Sequence, residues 1–159
     1  MLVARPVEER DLPLICSFPQ SEEELFFLHP GADFPLTPVQ LRQTIAQRAD
    51  STVVERSETV VGFANFFRVE HGRHCAIGNV IVAPAARGLG VGGFLVRHMV
   101  GLARTKHRVE EVRVSCFNRN VAGLLLYPAL GFQPFAVEER RNKSGDRVAL
   151  IHMRLGLRG

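Results

Sequence analysis

The residues with the clearest chemical potential are four glycines, Gly88, Gly90, Gly92 and Gly93, between an apolar run and an amphipathic one. Backbone N–H groups in such a segment are not shielded by side chains. At a helix start they point outward, and the helix dipole favours anions there. Arg87 precedes the glycines and adds a positive charge. The segment from Arg87 to Gly93 is therefore predicted to bind a phosphorylated ligand.

The elements that precede this turn are predicted from hydrophobic periodicity and turn residues. Leu2–Val7 predicts a first strand, and three further strands follow in hairpin order, which favours antiparallel pairing; they are Thr52–Arg56, Val60–Val69 and His74–Val82. Between the first two strands, Asp11 is predicted to cap a short helix and Thr37 to cap a longer one that begins at Pro38. A helical turn is predicted at Ser21–Leu28 within an otherwise irregular segment.

The second half of the chain changes its pattern after the glycines. Apolar residues recur at helical spacing from Val91 to about Lys106, a half-buried strand follows, and a second helix ends before Gly131. The remaining elements are predicted at Val112–Cys116, Val121–Leu130, Phe135–Arg140 and Val148–Leu155. The sequence contains no repeat, linker or low-complexity segment. One α+β domain with a mixed sheet is therefore predicted over residues 1–159.

Other phosphate-binding patterns compete for the same glycines. Gly88-x-Gly90-x-x-Gly93 formally matches the dinucleotide fingerprint, and Glu110 or Glu111 stands at about the expected distance downstream. That fingerprint belongs after the first strand of a parallel βαβ series, whereas hairpin strands precede it here. A nucleotide P-loop is excluded because no Gly-Lys-Ser/Thr sequence follows the glycines.

Two motifs in order fit one family better. Arg-x-x-Gly-x-Gly occurs as Arg87, Gly90 and Gly92, directly after the apolar run Val80-Ile81-Val82, and Asn-x6-Tyr-x3-Gly-Phe occurs from Asn120 to Phe132. With these motifs the sequence resembles the GNAT superfamily of N-acetyltransferases, from about Thr52 to Phe135. The resemblance implies an acyl-CoA N-acyltransferase fold whose mixed, mostly antiparallel sheet has about seven strands flanked by about four helices. It also implies that the sheet is splayed in the middle to hold the cofactor arm.

The same resemblance implies acetyl-CoA as the cofactor and assigns its contacts. The turn would hold the pyrophosphate, the strand before it would pair with pantetheine, Asn120 would bind the cofactor arm, and Tyr127 would lie near the sulfur. The residues implied are Val80, Ile81, Val82, Arg87, Gly88, Leu89, Gly90, Val91, Gly92, Gly93, Asn120 and Tyr127. Asn120 is also a candidate N-cap. Gly78, inside a predicted strand, either marks a bulge that opens a wedge or is an ordinary strand glycine.

Acetyl transfer to an amine needs a neutral amine, a donor for the oxyanion and a proton for the departing thiolate. Tyr127, the only tyrosine, occupies the family's general-acid position. Its alternative role is that of a half-buried core tyrosine. Pro128 is expected to perturb the helix that carries Tyr127. The resemblance implies an oxyanion donor in a backbone N–H near Val82.

No general base is identifiable, because the positions where relatives often carry a glutamate hold Asn79 and Ser115. The alternatives are water or a residue among Glu22, Glu23, Glu24, His29, His71 and His74. Acceptor recognition is expected in the irregular segment Ser17–Pro38, since loops carry specificity over a fixed scaffold. Its candidate residues are Phe26, Phe27 and His29, together with Asn79 on the strand.

Composition sets broad limits on function. The chain has 159 residues, 46% of them hydrophobic and 23% charged, with a net charge of +4. No run is long enough for a membrane span, and the N-terminus reads as mature protein, so a cytoplasmic location is expected. The scattered basic residues carry no nucleic-acid-binding signature. The three cysteines show no disulfide or zinc spacing, and no metal is expected.

The sequence therefore predicts an enzyme that transfers acetyl from acetyl-CoA to a primary amine, most simply a small molecule, by direct attack in a ternary complex. Two alternatives stay open: a protein N-terminal or lysine acetyltransferase, and a non-catalytic acetyl-CoA-binding module. A homodimer is also possible from the sequence, which shows no recognisable interface.

Overall fold

The computed structural model describes residues 1–157. Seven strands form one sheet: β1 (Leu2–Pro6), β2 (Ala49–Arg56), β3 (Thr59–Phe66), β4 (His74–Val82), β5 (Glu111–Phe117), β6 (Gln133–Arg141) and β7 (Arg147–Gly156). Five α-helices flank it: α1 (Leu12–Cys16), α2 (Glu22–Leu28), α3 (Pro38–Ala46), α4 (Val91–Thr105) and α5 (Val121–Ala129). The predicted mixed sheet is confirmed, with five helices rather than about four.

The strands lie in the order β1-β2-β3-β4-β5-β7-β6, and all neighbouring pairs are antiparallel except β4 and β5. The β2–β3 hairpin turns at Ser57 and Glu58, both with positive φ, which matches the right-handed twist of the strands. The parallel β4–β5 pair needs a crossover, and α4 supplies it. This topology places the glycine-rich turn directly after β4.

Each face of the sheet carries its own apolar core. Helices α4 and α5 cover one face, where Leu95, Met99 and Val114 are buried together with Phe132. Helices α1, α2 and α3 cover the other face near β2 and β3, where Ile15, Leu41 and Phe63 are buried. We call the first the α4 face and the second the α2 face.

The sheet opens between β4 and β5. Their parallel pairing runs from His74–Glu111 to Ile77–Val114 and goes no further, although both strands continue. On its other side β4 stays paired with β3, but the register shifts by one residue around Asn79, which has a φ of 53°. A bulge of this kind bends the strand and increases its twist. The predicted wedge is therefore present, and its bulge lies at Asn79, next to Gly78.

The helical turn predicted at Ser21–Leu28 is confirmed, because Ser21 accepts a hydrogen bond from the Glu24 backbone N–H and starts helix α2. The prediction for Asp11 needs correction. Asp11 precedes α1 but does not cap it with its side chain. Its carboxylate instead accepts from the Glu8 backbone N–H at 2.7 Å, because a short 3-10 turn at Glu9–Asp11 already begins the helical path.

Candidate active site

The glycine-rich turn has the backbone geometry that glycine permits. Gly88 and Gly90 have φ values of 78° and 84°, and Gly90 is the N-cap residue of α4. A Cβ at either position would meet nothing within 4 Å, so conformation rather than space explains these glycines. The first N–H groups of α4 have no carbonyl partner inside the helix. The turn is thus suited to bind an anion at the N-terminus of α4.

The turn opens into a cavity of about 600 Å³, which we call the wedge cavity, between β4 and α5 beyond the point where β4 and β5 separate. Every predicted cofactor residue except Leu89 lines it: Val80, Ile81, Val82, Arg87, Gly88, Gly90, Val91, Gly92, Gly93, Asn120 and Tyr127. Leu89 is 58% exposed and lies outside the lining. Two segments far apart in sequence therefore meet around one cavity.

Two arginines lie at the turn, and among residues 1–157 only Arg87 has an ion-pair partner. The Arg87 guanidinium donates to Glu24 at 2.8 Å, to the Val82 carbonyl at 3.2 Å and to the Phe18 carbonyl at 3.4 Å. Arg87 therefore ties the turn to α2. Arg97, which the motif reasoning missed, holds its guanidinium so close to Gly93 that a Cβ there would lie 3.1 Å from Nη1.

Tyr127 reaches the cavity from α5. Asn120 caps this helix by accepting from the Gly123 backbone N–H at 3.1 Å, as predicted. The tyrosine is 5% exposed, and its ring packs edge-on against Phe132. Burial, with a smaller effect of Cys116, raises the pKa of Tyr127 above its ordinary value. Its hydroxyl is therefore protonated at neutral pH and available to donate a proton.

Gly123 makes room for this arrangement. A Cβ at Gly123 would lie 2.7 Å from Cys116 Sγ and 3.1 Å from Tyr127 Cε2. Both distances are shorter than an ordinary carbon contact of about 3.5–4.0 Å. The glycine is thus required by the close approach of α5 to β5, a role that sequence spacing did not indicate.

Helix α2 lies across the opened wedge on the α2 face. Its Phe26 ring packs against Phe117 of β5 with centroids 4.5 Å apart, and its Leu28 carbonyl accepts from Asn79 Nδ2 of β4 at 2.9 Å. Phe27 lines the cavity, whereas Phe26 is 7% exposed and belongs to a small core with Val148. Of the proposed acceptor residues, Phe27 alone lines the wedge cavity itself.

His29 and Asn79 are held by other protein groups. His29 Nε2 lies 2.7 Å from Thr44 Oγ1, whose hydroxyl donates to the Gln40 carbonyl, so the imidazole donates to the threonine. Burial, with the positive charges of Arg48 and Lys143, lowers the pKa of His29. Asn79 uses both ends of its amide, because its Oδ1 accepts from Asn65 Nδ2 at 2.8 Å.

A hydrogen-bonded chain that the sequence did not reveal begins at the wedge. Ser115 is the first β5 residue after the last β4 pair, and its Oγ lies 2.7 Å from Nδ1 of His152 on β7. His152 Nε2 lies 2.7 Å from Oε1 of Glu138 on β6. The carboxylate fixes the proton on Nε2, so Nδ1 accepts the serine hydroxyl. The only signal in the sequence was the serine at a position where relatives often carry glutamate.

The other candidate bases lie elsewhere or are already paired. His74 pairs with Glu70 at the start of β4, about 26 Å of strand from Val82. His71 is exposed in the preceding turn, and Glu23 pairs with Arg119 at 2.8 Å. Within residues 1–157, no group of three or more His, Cys, Asp or Glu side chains could hold a metal ion. No helix in that range is both long and apolar enough to cross a membrane.

Comparison with known proteins agrees with this geometry. Residues 16–132 match the Acetyltransferase (GNAT) family, while no curated protein matches the chain. A similar solved structure is the ribosomal-protein-alanine N-acetyltransferase of Brucella melitensis, with 23% identity, a TM-score of 0.76 and coverage of 98% of this chain and 99% of that one.

Two further solved structures have the same fold. The IAA acetyltransferase of Bacillus cereus is 21% identical with a TM-score of 0.71, covering 99% of this chain and 100% of its own. The yncA protein of Salmonella typhimurium, solved with its cofactor acetyl-CoA, is 22% identical with a TM-score of 0.73, covering 100% and 95%. At these identities the likeness is one of fold.

Proposed function

This chain belongs to the acetyltransferase (GNAT) family, and on that premise we propose that it transfers acetyl from acetyl-CoA to a primary amine of a small molecule, as a single domain. The observation that carries this proposal is the wedge cavity, where the anion-binding turn, an unpaired strand edge and a buried tyrosine meet. A cofactor with a phosphate group, an extended arm and a reactive end matches these three features. Its phosphate would lie at the turn, its arm along the strand edge and its reactive end near the tyrosine.

The residues of this chain fit each part of acetyl-CoA. The turn from Gly88 to Gly93 binds the pyrophosphate through backbone N–H groups, and Arg97 beside it adds a cation for phosphate. Beyond Ile77, β4 has no β5 partner, so its edge from Val80 to Val82 pairs with the pantetheine amides by strand addition. The acetyl group then lies near Tyr127.

Tyr127 serves as the general acid. The acceptor nitrogen attacks the thioester carbonyl, the C–S bond breaks, and the departing thiolate takes the proton of the Tyr127 hydroxyl. Support comes from the buried ring at the cavity wall and from the raised pKa, which keeps that proton in place until the thiolate forms. A backbone N–H of the β4 edge near Val82 donates to the oxyanion.

Ser115 and His152 receive the proton that the amine loses. The amine N–H donates to Ser115 Oγ, whose own proton passes to His152 Nδ1, and Glu138 stabilises the resulting imidazolium. Arg140 and His152 lower the pKa of Glu138, so the carboxylate stays charged beside the ring. The proton then returns through solvent to the tyrosinate.

The shape of the site supports a small acceptor. Helix α2 spans from β5 to β4 through the Phe26–Phe117 contact and the Leu28–Asn79 hydrogen bond, which narrows the opening on the α2 face. A folded protein surface would meet α2 before it reached the wedge. A small amine passes under the helix and reaches the thioester.

The test is to incubate the protein with acetyl-CoA and panels of small amines and peptides while measuring free thiol release. We expect turnover with a subset of the small amines. In Tyr127→Phe, kcat should fall by about 100-fold or more while the affinity for CoA, measured by calorimetry, stays unchanged. The proposal would be contradicted if no amine or peptide led to thiol release, or if Tyr127→Phe kept the wild-type kcat.

The proton path has its own control. His152→Gln should lower kcat/KM by about 100-fold for an acceptor whose ammonium pKa lies above the assay pH. The defect should shrink for an acceptor whose pKa lies below that pH. His71→Gln, an exposed histidine in the β3–β4 turn, is the matched control and should behave as wild type. A defect of equal size for both acceptors would point to a structural role of His152.

A further inference from the structure

Arg48 is a half-buried cation that has no anionic partner in the part of the chain that the structure describes. Its guanidinium donates one hydrogen bond, from Nη1 to Asn65 Oδ1 at 3.3 Å, and stacks over the Phe67 ring with Cζ 4.9 Å from the centroid. No ion pair in residues 1–157 includes Arg48, and burial alone accounts for the lowering of its pKa. Guanidinium groups have five N–H donors, and an unpaired charge removed from water is costly. The remaining donors are therefore available to a ligand.

This guanidinium lies at the apex of the wedge. A Cβ at Gly78 would lie 2.6 Å from Arg48 Nη1 and 2.9 Å from Phe67 Cδ1, so the arginine covers the bare backbone of Gly78. Gly78 is the first β4 residue past the last pair with β5, and Ser115 is the corresponding first residue of β5. Arg48 and Ser115 thus flank the same point, where an acceptor on the α2 face would approach the thioester.

Buried amides hold Arg48 in this position. Asn79 donates to the Leu28 carbonyl and accepts from Asn65, and Asn65 in turn accepts from Arg48. Asn65 is fully buried and Asn79 is 7% exposed. Each amide has a partner at both ends, so the network fixes which oxygen faces the guanidinium. The site is built by the core rather than by mobile surface side chains.

The surroundings of Arg48 are also positively charged. Arg48 and Lys143 both act on His29 as positive charges, and the carboxylate that approaches Lys143, Asp33, is 3.7 Å away and 93% exposed. Of the three acidic residues of α2, Glu23 and Glu24 are engaged with arginines, and Glu22 is exposed at the first position of the helix. The acceptor side of the wedge therefore favours an anionic group.

Resting on the proposed acetyl transfer, we infer that Arg48 binds an oxyanion of the acceptor, a carboxylate, and that the acceptor is an amino acid. Gly78 and Ile81 lie opposite Asn65 and Phe63 of β3, so across the bulge β4 advances by only two strand residues, about 6.6 Å. A carboxylate on Arg48 and an amine one or a few bonds away span this length to the thioester. A guanidinium binds a carboxylate through two parallel hydrogen bonds, which orients the amine as well as retaining it.

The experiment compares kcat/KM for amino acids with their carboxamides, for the corresponding amines that lack the acid, and for an aminophosphonate. We expect the wild type to prefer the carboxylate over the carboxamide by about tenfold or more. Arg48→Gln should abolish this preference, because kcat/KM for the amino acid falls to that of its carboxamide. Arg48→Lys should restore part of the preference. The aminophosphonate distinguishes a carboxylate site from a general oxyanion site.

Arg68→Gln is the matched control, because Arg68 also stacks on Phe67, with Cζ 5.7 Å from the ring centroid, but is exposed. It should keep the wild-type preference. A second readout is calorimetric binding of the amino acid to the protein saturated with CoA, which should weaken in Arg48→Gln but not in Arg68→Gln. Thermal unfolding identifies any variant that fails to fold. If Arg48→Gln does not fold, Arg48→Lys is compared with the wild type instead.

The outcomes separate this inference from the proposed function. If no amine is acetylated, the proposed function fails, and the binding measurement still decides whether Arg48 holds a carboxylate. If amines are acetylated but the wild type treats acid and carboxamide alike, or Arg48→Gln keeps the preference, the inference is overturned.

Discussion

Replacing Gly123 by alanine tests the packing that positions the cavity tyrosine. The new Cβ would lie 2.7 Å from Cys116 Sγ, 3.0 Å from Asn120 Nδ2 and 3.1 Å from Tyr127 Cε2. Cys116 is 2% exposed and Tyr127 is 5% exposed, so neither side chain can move into solvent. Since relaxed contacts need about 3.5–4.0 Å, helix α5 must move away from β5 or the tyrosine ring must tilt.

The size of the effect follows from two opposing contributions. Alanine inside a helix stabilises by about 1 kcal/mol relative to glycine. Overpacking a filled site costs about 1–3 kcal/mol. We therefore expect Gly123→Ala to lower the free energy of unfolding by up to about 2 kcal/mol. Gly101→Ala in α4 is the control, because a Cβ there meets nothing within 4 Å. It should raise that free energy by up to about 1 kcal/mol.

The assay is urea unfolding of both variants, together with kcat for acetyl transfer. Gly123→Ala should lower both the unfolding midpoint and kcat, since Tyr127 is displaced from the thiolate. The double variant Gly123→Ala/Cys116→Ala removes the closest contact, and its loss should be smaller than the sum of the single losses. If Gly123→Ala stabilises the protein as much as Gly101→Ala does, the reasoning about this close approach is refuted.

Two further predictions concern charge. Arg97→Gln should raise the KM for acetyl-CoA severalfold at unchanged kcat. Arg104→Gln, at the far end of α4, should leave this KM unchanged. If both variants raise the KM equally, Arg97 does not contact the cofactor. The Arg5 guanidinium, 2.8 Å from both carboxylate oxygens of Asp11, holds the pKa of that carboxyl below its usual range. The pair therefore stabilises the fold above about pH 4, and this contribution is lost as the pH falls through the lowered pKa. Asp11→Asn should flatten the acid limb of stability against pH, and an unchanged slope would contradict the linkage.

The sequence-based predictions that the structure confirms depend on short stretches of chain. A glycine with positive φ, an apolar residue every three to four positions or a cap such as Thr37 acts within one or two turns. The turn from Arg87 to Gly93, the cap at Asn120 and the strands around them could therefore be predicted from the sequence. The position of the bulge near Gly78 could be predicted only to within one residue, because the register of β4 with β3 decides which residue bulges.

Tertiary structure alone decided which side chains share the wedge. Arg87 meets Glu24 across 63 positions, Ser115 meets His152 across 37, and Arg48 meets Asn65 across 17. These contacts depend on strand order and register, which no local pattern contains, since one residue of slip moves a side chain to the opposite face. The sequence by itself thus determined the family and the glycine-rich turn at the start of α4. The packing of distant strands determined which side chains lie together at the wedge.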